Sequence, residues 1–362
     1  MRVVHIVESF GGGVYSYFKD LAHFFSKVDD IETIIIYSNN RKEVSEEQIK
    51  NDFPKNITMI CVEMQRELKP IKDIKATLKL RNLLKSIKPD VVHLHSSKAG
   101  VIGRWATTFM VKRKAIYYTP HGYSFLRLDI SPLKRKIFYN IEKFTQLLFG
   151  GTTIACGDTE YNIARKIGKS MLVRNGINLD KLSKYYIPKI NNTNTITIGT
   201  IGRIMPQKNP QLFNQIAETF PKYRFIWIGD GDQKELLTAS NIIVTGWIHN
   251  QTDLYDSLNS LDVYIQTSLW EGLPIAVLEA MAFHKPIVAT NVIGNKDIVQ
   301  DSINGYLFEK VEDLVPLVHE LENSSLRAKL GTNAYIDCTN KYNKETNFTI
   351  LSTIYTESLN RL

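Results

Sequence analysis

The sequence predicts an α/β protein made of two doubly wound domains, each built around a parallel sheet. Apolar runs alternate with segments of helical periodicity, which is the pattern of strands joined by crossover helices. The alternation stops at a polar stretch, IPKINNTNT, and then starts again. The length of 362 residues is about twice that of a common single domain. We therefore expect two domains of ordinary size.

The polar stretch sets the domain boundaries. We place the first domain at residues 1–184, a linker at 185–194 and the second domain at 195–340, followed by a helical segment at 341–362. The expected strands of the first domain are VVHIV, TIIIY, ITMICV, DVVHLH, KAIYYTP and TTIACG. Those of the second are ITIGTIGR, RFIWIGDGD, NIIVTGW, DVYIQTS and PIVATNV. Ligands of such sheets bind beyond the carboxyl ends of the strands, so functional motifs should follow the apolar runs.

Composition favours a cytoplasmic protein that is soluble or peripheral to a membrane. Hydrophobic residues make up 43% and charged residues 23%, and no apolar run is long enough to span a bilayer. The first residues, MRVVHIVESF, do not fit a signal peptide. Cys61, Cys156 and Cys338 are widely spaced, so neither a disulfide framework nor a zinc site is indicated.

The positive charge is concentrated in the first half. Of the net charge of +8, residues 1–180 contribute 29 Lys/Arg against 18 Asp/Glu, whereas the rest of the chain contributes 16 against 19. Within Arg66–Lys88, eight basic residues alternate with Leu and Ile at roughly helical spacing. Such a segment is either a solvated helix face or a contact for an anionic membrane. Nucleic acid is disfavoured because no recognition motif accompanies the charge.

A glycine-rich turn, SFGGGVYS, follows the first expected strand. Its Gly11-x-Gly13-x-x-Ser16 spacing nearly matches the dinucleotide fingerprint, in which backbone N–H groups approach a pyrophosphate at a helix N-terminus. The second strand, however, ends in Tyr37-Ser-Asn-Asn without the acid that holds a nicotinamide ribose. We expect a turn whose backbone lies against a phosphate or an acceptor, with a purely structural turn as the alternative.

Two cations and two acids in the second half suit a nucleotide sugar. Arg203 and Lys208 follow the first strand of that half, where they could hold a diphosphate. Glu271 precedes an apolar helix and Glu279 lies inside it, and an acid in so apolar a helix needs a partner. Sugar and ribose hydroxyls would supply hydrogen-bond donors to both carboxylates. A surface turn and a helix cap are the structural alternatives for the cations and for Glu271.

Other polar residues are weaker candidates. Asp230-Gly-Asp232 imitates the DxD motif of metal-dependent transferases, but it follows the two cations instead of replacing them, so we prefer a loop near the nucleotide and no metal. His121 stands between Pro and Gly at the end of a strand, where we expect it to form hydrogen bonds and not to act as a general base. His93 and His95 share one strand face, and for lack of a third ligand we expect packing or acceptor contacts.

Together these motifs resemble a known family. RIMPQKNP, EGLPIAVLE with its E-x7-E spacing, PIVATNVIGNKDIV and NGYLF are similar to the donor-binding half of the retaining glycosyltransferases of family 4. GGG, TPHG and NGIN extend the resemblance over nearly the whole chain. It implies the GT-B fold, in which two Rossmann-like doubly wound domains face each other across a cleft. In that fold the segment 341–362 would cross back to the first domain.

The resemblance also implies roles for individual residues. Arg203 and Lys208 match the pyrophosphate clamp, Glu271 the acid that binds the donor sugar, and Glu279 the acid that binds the ribose. The backbone bordering the sugar and phosphates matches Gly272, Leu273, Pro274 and Ile275. The segment that wraps the base matches Gly246, Trp247 and Ile248. In the first half, the loop that approaches the donor phosphate matches Gly12 and Gly13, and the histidine beside the sugar ring matches His121.

The activity implied by the resemblance is retaining transfer of a hexose or N-acetylhexosamine. The donor would be a nucleoside diphosphate sugar, with UDP favoured, and the acceptor a glycan, carried on a lipid, in capsule or O-antigen synthesis. We expect no cofactor, no metal and no nucleic-acid partner, and a location in the cytoplasm at the inner face of the membrane. The alternatives are a GT-B nucleotide-sugar epimerase and a nicotinamide-dependent oxidoreductase.

Overall fold

The computed structural model describes residues 1–39, 44–65, 69–188 and 195–360. The chain divides into two compact units, Met1–Asn175 with Glu345–Leu362, and Gly176–Lys344. The first unit's main segment ends at Asn175, nine residues before the boundary at residue 184 that was expected from the sequence. Residues 189–194 of the expected linker lie outside the described residues. Residues 66–68 of the basic segment also lie outside them, whereas the rest of that segment forms a helix.

The first unit contains a seven-stranded parallel sheet. Its strands are β1 (Arg2–Val7), β2 (Glu32–Tyr37), β3 (Thr58–Cys61), β4 (Val91–His95), β5 (Ile116–Thr119), β6 (Thr152–Ala155) and β7 (Ser170–Leu172). Its helices are α1 (Gly12–Phe25), α2 (Glu46–Asp52), α3 (Pro70–Ile87), α4 (Ser97–Thr107), α5 (Pro132–Phe149) and α6 (Asp158–Ile167). The last helix of the chain, numbered α14 (Lys344–Asn360), also packs on this unit.

The second unit contains a six-stranded parallel sheet. Its strands are β8 (Thr197–Ile201), β9 (Arg224–Ile228), β10 (Ile242–Val244), β11 (Val263–Gln266), β12 (Ile287–Thr290) and β13 (Gly305–Phe308). Its helices are α7 (Leu179–Ser183), α8 (Pro210–Thr219), α9 (Gln251–Asn259), α10 (Ile275–Ala282), α11 (Asn295–Ile298), α12 (Val311–Glu320) and α13 (Ser324–Lys341). Every helix among the described residues is too short or too polar to cross a bilayer.

The strand order reverses once in each sheet. The orders are β3-β2-β1-β4-β5-β6-β7 and β10-β9-β8-β11-β12-β13. The chain therefore turns in opposite directions after β1 and β4, and again after β8 and β11, which opens a crevice at the carboxyl ends of those strands. The strands β7 and β13 were not among the predicted strands, because both are short edge strands without a long apolar run.

The C-terminal helix completes the hydrophobic core of the first unit. Phe348, Leu351 and Tyr355 of α14 pack with a cluster that includes Val3 of β1 and Leu21 of α1. The hydroxyl of Tyr355 is also hydrogen-bonded to a histidine of β4. The end of the chain is thus an integral part of the first unit.

Three fully buried histidines lie side by side in the middle of the first sheet. His5 of β1 is hydrogen-bonded to His95 of β4, with 3.0 Å between Nδ1 and Nε2. His93 of β4 uses both ring nitrogens, one toward Tyr355 and the other toward Thr119 Oγ1 at 2.8 Å. One ring nitrogen of each histidine, the type of atom that can coordinate a metal ion, lies within 4.8 Å of the corresponding nitrogens of the other two. The sequence analysis did not connect His5 with the other two, because the apolar run VVHIV gave no sign of a polar cluster.

Burial keeps these histidines neutral, which makes stability dependent on pH. It lowers the pKa of His5 to about 3, and together with neighbouring histidines it lowers the pKa of His93 and His95 well below the usual range. Above pH ~6.5 the rings are neutral in both the folded and unfolded states. Below that pH the unfolded chain binds protons that the folded chain excludes. Stability is therefore lost as the pH falls.

We predict that the free energy of unfolding decreases between pH 6.5 and 5, by about 1.4 kcal/mol per pH unit for each neutral buried histidine. Urea unfolding at several pH values measures this slope. His5→Gln should reduce the slope, and His249→Gln, at an exposed position outside the cluster, is the control variant. A flat profile in wild-type protein would contradict the prediction.

Candidate functional site

The predicted cations and acids of the second unit gather at the carboxyl ends of β8 and β11. Arg203 and Lys208 lie in the loop after β8, and Lys208 ends a short 3₁₀ turn, Pro206–Lys208. Glu271 lies in the loop after β11 and precedes α10. Because the strand order reverses between β8 and β11, both loops border the crevice of this sheet.

Lys208 and Glu271 form a direct ion pair. The ammonium Nζ lies 2.7 Å from Glu271 Oε1, and the glutamate side chain is only 8% exposed. The same oxygen accepts hydrogen bonds from Ser268 Oγ at 2.7 Å and from Gln266 Nε2 at 2.9 Å. Gln207 Nε2 donates to the other carboxylate oxygen at 3.2 Å. Four donors thus hold one buried carboxylate, which offsets the cost of removing its charge from water.

Backbone contacts fix the two loops against each other. Leu269 N donates to Gln207 O at 2.9 Å, and Gln207 Nε2 donates to Trp270 O at 3.0 Å. Thr267 Oγ1 donates to Lys208 O at 2.7 Å. Lys208 is therefore held through its backbone as well as through its charge, so its ammonium has a defined position before any ligand binds.

The sequence analysis missed Gln266 and Ser268 as members of this site. Both belong to the quoted run DVYIQTS, which was interpreted only as a strand. Gln266 also accepts a hydrogen bond from the Tyr264 hydroxyl at 3.2 Å, so the network extends into the core. A buried polar pair at the end of an otherwise apolar strand was the signal that could have identified them.

Arg203 has a different partner from Lys208. Its Nη2 lies 2.9 Å from Asp232 Oδ2, and both side chains are exposed. Asp230, the other acid of the DGD segment, lies 3.8 Å from Lys234 Nζ and accepts a hydrogen bond from Gly231 N. The two aspartates thus contact cations of the same unit.

Two glycines allow the loop of Arg203 to pack closely on the loop after β9. A Cβ added at Gly229 would lie 2.3 Å from Gly202 O, and one added at Gly231 would lie 2.2 Å from Ile204 O. Such distances are excluded for real side chains, so only glycine fits at these positions. Arg203, between Gly202 and Ile204, is thereby positioned by backbone packing.

Glu279 lies on α10, eight residues after Glu271. It is partly buried, and α10 begins at Ile275 directly after Pro274. Burial is the largest cause that raises the pKa of Tyr264, and the negative charges of Glu279 and Glu271 raise it further. Both carboxylates thus raise the pKa of one buried hydroxyl.

A glycine that the sequence analysis did not select positions the start of α10. Gly294 has a φ of +88°, and an added Cβ would lie 2.6 Å from Glu271 Cβ and 2.8 Å from Gly272 O. Glu271 N also donates to Ile293 O at 3.0 Å. The loop from Gly272 to Ile275 is therefore packed on the segment after β12, with Leu273 buried.

The segment from Gly246 to Ile248, which was expected to contact the base, has an exposed aromatic ring, that of Trp247. Gly246 has a φ of +75° and forms an isolated antiparallel bridge with Gly229. Trp247 is 57% exposed, and Ile248 is partly exposed. An exposed indole beside the sheet edge offers a flat apolar face on which an aromatic base could stack.

In the first unit, the glycine turn forms the N-terminus of α1. The helix begins at Gly12, and its N-cap residue, Gly11, has no side chain to satisfy the first backbone N–H groups. Added Cβ atoms at Gly12 and Gly13 would meet nothing within 4 Å. This terminus therefore has both the free space and the backbone donors that an anion requires.

His121 is linked to the buried histidines. Its Nε2 lies 3.0 Å from His95 Nδ1, its ring packs edge-on against Tyr17, and its φ is +52°. Burial lowers the pKa of His121 to about 4, so the ring is neutral near pH 7. The row of hydrogen-bonded rings runs from His5 through His95 to His121. At its first member, His5 Nε2 is buried and has no hydrogen-bond partner among the described residues.

The hydrogen-bond chain fixes the tautomer of His121. A buried acceptor without a partner occurs more readily than a buried N–H without one, so His5 should carry its proton on Nδ1. His5 then donates to His95, and His95 donates to His121 Nε2. His121 consequently carries its own proton on Nδ1, where it can serve as a hydrogen-bond donor.

Comparisons with known proteins cover both halves of the chain. Residues 11–181 match the model of Glycosyltransferase Family 4, and residues 186–337 match that of glycosyl transferases group 1. An Escherichia coli UDP-Gal:alpha-D-GlcNAc-diphosphoundecaprenol alpha-1,3-galactosyltransferase is 30% identical over 67% of this chain and 68% of its own length. The Staphylococcus aureus capsular polysaccharide biosynthesis glycosyltransferase CapM is 26% identical over 81% of this chain and 83% of its own.

Solved structures agree with the fold. Anabaena HepE, crystallised with UDP and glucose, superposes with a TM-score of 0.78 over the full length of both chains at 16% identity. The superposition includes both parallel sheets described above, because it covers the whole of this chain. The chain therefore belongs to the family 4, group 1 glycosyltransferases and has the GT-B fold.

Proposed function

We propose that the protein transfers a hexosyl or N-acetylhexosaminyl unit from a UDP-sugar to a glycan hydroxyl, with retention of the anomeric configuration. Glycosyl transfer itself follows from family membership, which disfavours the epimerase and oxidoreductase alternatives. The E. coli relative, by its name, uses UDP-Gal and an acceptor on diphosphoundecaprenol, and CapM acts in capsule synthesis. These names support a lipid-linked acceptor and a role in bacterial surface polysaccharide synthesis.

The observation that carries the proposal is the preformed pair of Lys208 and Glu271 at the crevice of the second sheet. A nucleoside diphosphate sugar presents anionic phosphates beside a ring of hydroxyl groups. A fixed ammonium suits the phosphates, and a carboxylate suits the hydroxyl donors. Arg203 would bind the same diphosphate, and Glu279 the ribose hydroxyls.

In the proposed reaction the bond between the anomeric carbon and the β-phosphate oxygen breaks, and the acceptor oxygen bonds to the same face of that carbon. The acceptor proton passes to an oxygen of the departing β-phosphate. Negative charge grows on this phosphate in the transition state, so cations fixed beforehand stabilise that state more than the ground state. We propose that Lys208 and Arg203 supply this charge and that no metal ion is required.

For the first unit we propose two donor contacts. The backbone N–H groups at Gly12 and Gly13 would bind a donor phosphate at the N-terminus of α1. His121 would donate a hydrogen bond from Nδ1 to the sugar ring. Since the acceptor of the E. coli relative is carried on a polyprenol diphosphate, we place the reaction at the inner face of the membrane.

The activity can be tested directly. A thermal-shift screen with UDP-, GDP- and TDP-sugars should select a UDP-sugar, because a ligand that binds the native state raises its apparent stability. That donor should then yield nucleotide and a retained glycoside when a glycan acceptor is added, as detected by NMR of the anomeric proton. EDTA should not slow the reaction. Conversion of the sugar to an epimer without an acceptor, or an inverted product, would contradict the proposal.

We predict that Lys208→Ala lowers turnover by roughly 100-fold or more, as expected when one fixed charge that stabilises the transition state is lost. Steady-state kinetics with saturating donor measures the effect. Lys222→Ala is the matched control, since Lys222 also pairs with a glutamate but precedes β9 at the opposite end of the sheet. Near-normal turnover in the Lys208 variant would refute the proposed clamp.

We predict that Gly13→Ala raises the donor KM without destabilising the fold. An added methyl group meets no protein atom within 4 Å, and Ala is a better helix former than Gly, so the melting temperature should not fall. The methyl group would, however, occupy the space of a phosphate. Gly12→Ala is a poorer test because its φ of +54° strains any other residue. An unchanged KM for Gly13→Ala would exclude a phosphate at this turn.

A further inference from the structure

The α5 helix carries an exposed apolar stripe on its outward side, although Phe138 and Tyr139 on its inward side pack against the core. Its fully buried residues are polar, namely Glu142, Thr145 and Gln146. Its exposed residues include Leu133, Ile137, Phe144, Leu147 and Leu148, with Phe144 60% and Leu147 71% exposed. At 100° per residue these five side chains lie in one stripe about 100° wide. The outward side of a helix on the surface of a soluble domain is normally polar.

The buried Glu142 and Gln146 of α5 are held by contacts within the unit. Arg104 of α4 donates to Gln146 Oε1 at 2.7 Å, and the Tyr118 hydroxyl donates to Glu142 Oε1 at 2.7 Å. The inner residues are thus satisfied by hydrogen bonds. The apolar side chains of the outer stripe, in contrast, remain exposed and are not covered by any of the described residues.

Exposed apolar side chains continue onto the neighbouring helices. Helix α4 packs between α3 and α5. Trp105 of α4 contacts the ring of Phe149 at a centroid distance of 5.6 Å, and Phe109 after α4 is 98% exposed. On α3, the outer residues Ile71, Ile74 and Leu78 are exposed on the side opposite its buried residues. We call the outer faces of these three helices the α3–α5 surface.

The charges on this surface have one sign. Seven exposed lysines belong to α3 and α5: Lys72, Lys75, Lys79, Lys85, Lys134, Lys136 and Lys143. The two helices contain two acids, Asp73 and Glu142, and both lie toward cations of α4. Asp73 pairs with Lys98, and Glu142 is buried close to Arg104. The outer face is therefore apolar and cationic.

We propose that the α3–α5 surface binds an anionic lipid bilayer, with Phe144, Leu147 and Trp105 inserted at the boundary of headgroups and acyl chains. Each lysine near an anionic surface adds attraction, while the apolar stripe supplies burial that salt does not screen. A second protein copy would bring its own lysines against these lysines. Nucleic acid would leave the apolar stripe unburied. The inference deepens the proposed function, because it explains access to a lipid-linked acceptor, but vesicle binding does not require that activity.

Binding is tested by flotation with vesicles of phosphatidylglycerol and phosphatidylcholine, or of phosphatidylcholine alone. We expect recovery with the anionic vesicles that is weakened by high salt but not abolished. Phe144→Gln with Leu147→Gln should lower the partition coefficient by about 100-fold, since burial of each apolar side chain is worth about tenfold. Ile336→Gln, at an exposed position on α13, is the control and should bind as wild type.

Insertion is tested separately by fluorescence. Vesicles with brominated acyl chains should quench Trp105, and the quenching should be lost in Trp105→Phe but kept in Trp247→Phe. Wild-type binding by the Phe144/Leu147 variant, complete release by salt, or self-association without vesicle binding would overturn the proposal. Transfer to a short, lipid-free acceptor by the same variant tests the proposed function alone. Transfer without vesicle binding would overturn only the membrane contact, and vesicle binding by wild type without transfer would overturn only the proposed function.

Discussion

The ion pair between Lys208 and Glu271 is the interaction on which the site of the second unit depends. A buried carboxylate without donors would be costly, and here four side chains satisfy it. The pair has two opposing effects. Glu271 weakens the positive field of Lys208 but also fixes the ammonium in place, which removes the cost of reorganising it during a reaction. Ser268 and Gln266 also donate hydrogen bonds to Glu271, so the position of this carboxylate does not depend on Lys208 alone.

Glycine provides the second constraint on this site. Gly229, Gly231 and Gly294 each stand where a Cβ would collide with a neighbouring loop. Their role is to bring three loops close enough for Arg203 and Glu271 to reach the same edge of the sheet. A site assembled by backbone contact is more rigid than one assembled by long side chains alone, and rigid placement favours electrostatic catalysis. The reversal of strand order supplies the crevice, and these glycines shape its border.

Much of this arrangement was predictable from the sequence. Alternating apolar runs were sufficient to predict two parallel sheets, and the resemblance to family 4 implied the GT-B fold; the structure and the comparisons confirm both. Arg203, Lys208 and Glu271 were selected as candidates because they follow strands. Gln266, Ser268 and Gly294 were missed because their importance comes from contacts between loops that are distant in sequence. His5 was missed for a related reason, since pairing between β1 and β4 brings it beside His93 and His95.

The two clearest departures from apolar-inside, polar-outside packing both occur in the first unit. One is the histidine cluster, which places polar rings in the middle of the sheet and ends at His121. The other is α5, which buries Glu142, Thr145 and Gln146 while an apolar stripe that includes Phe144 and Leu147 is exposed. Sequence patterns fail at both because each violates the consistency between hydrophobicity and burial that such patterns assume. The two proposals above give each departure a role beyond folding: the histidine chain would hold His121 as a neutral hydrogen-bond donor toward a sugar, and the exposed stripe of α5 would contact a bilayer.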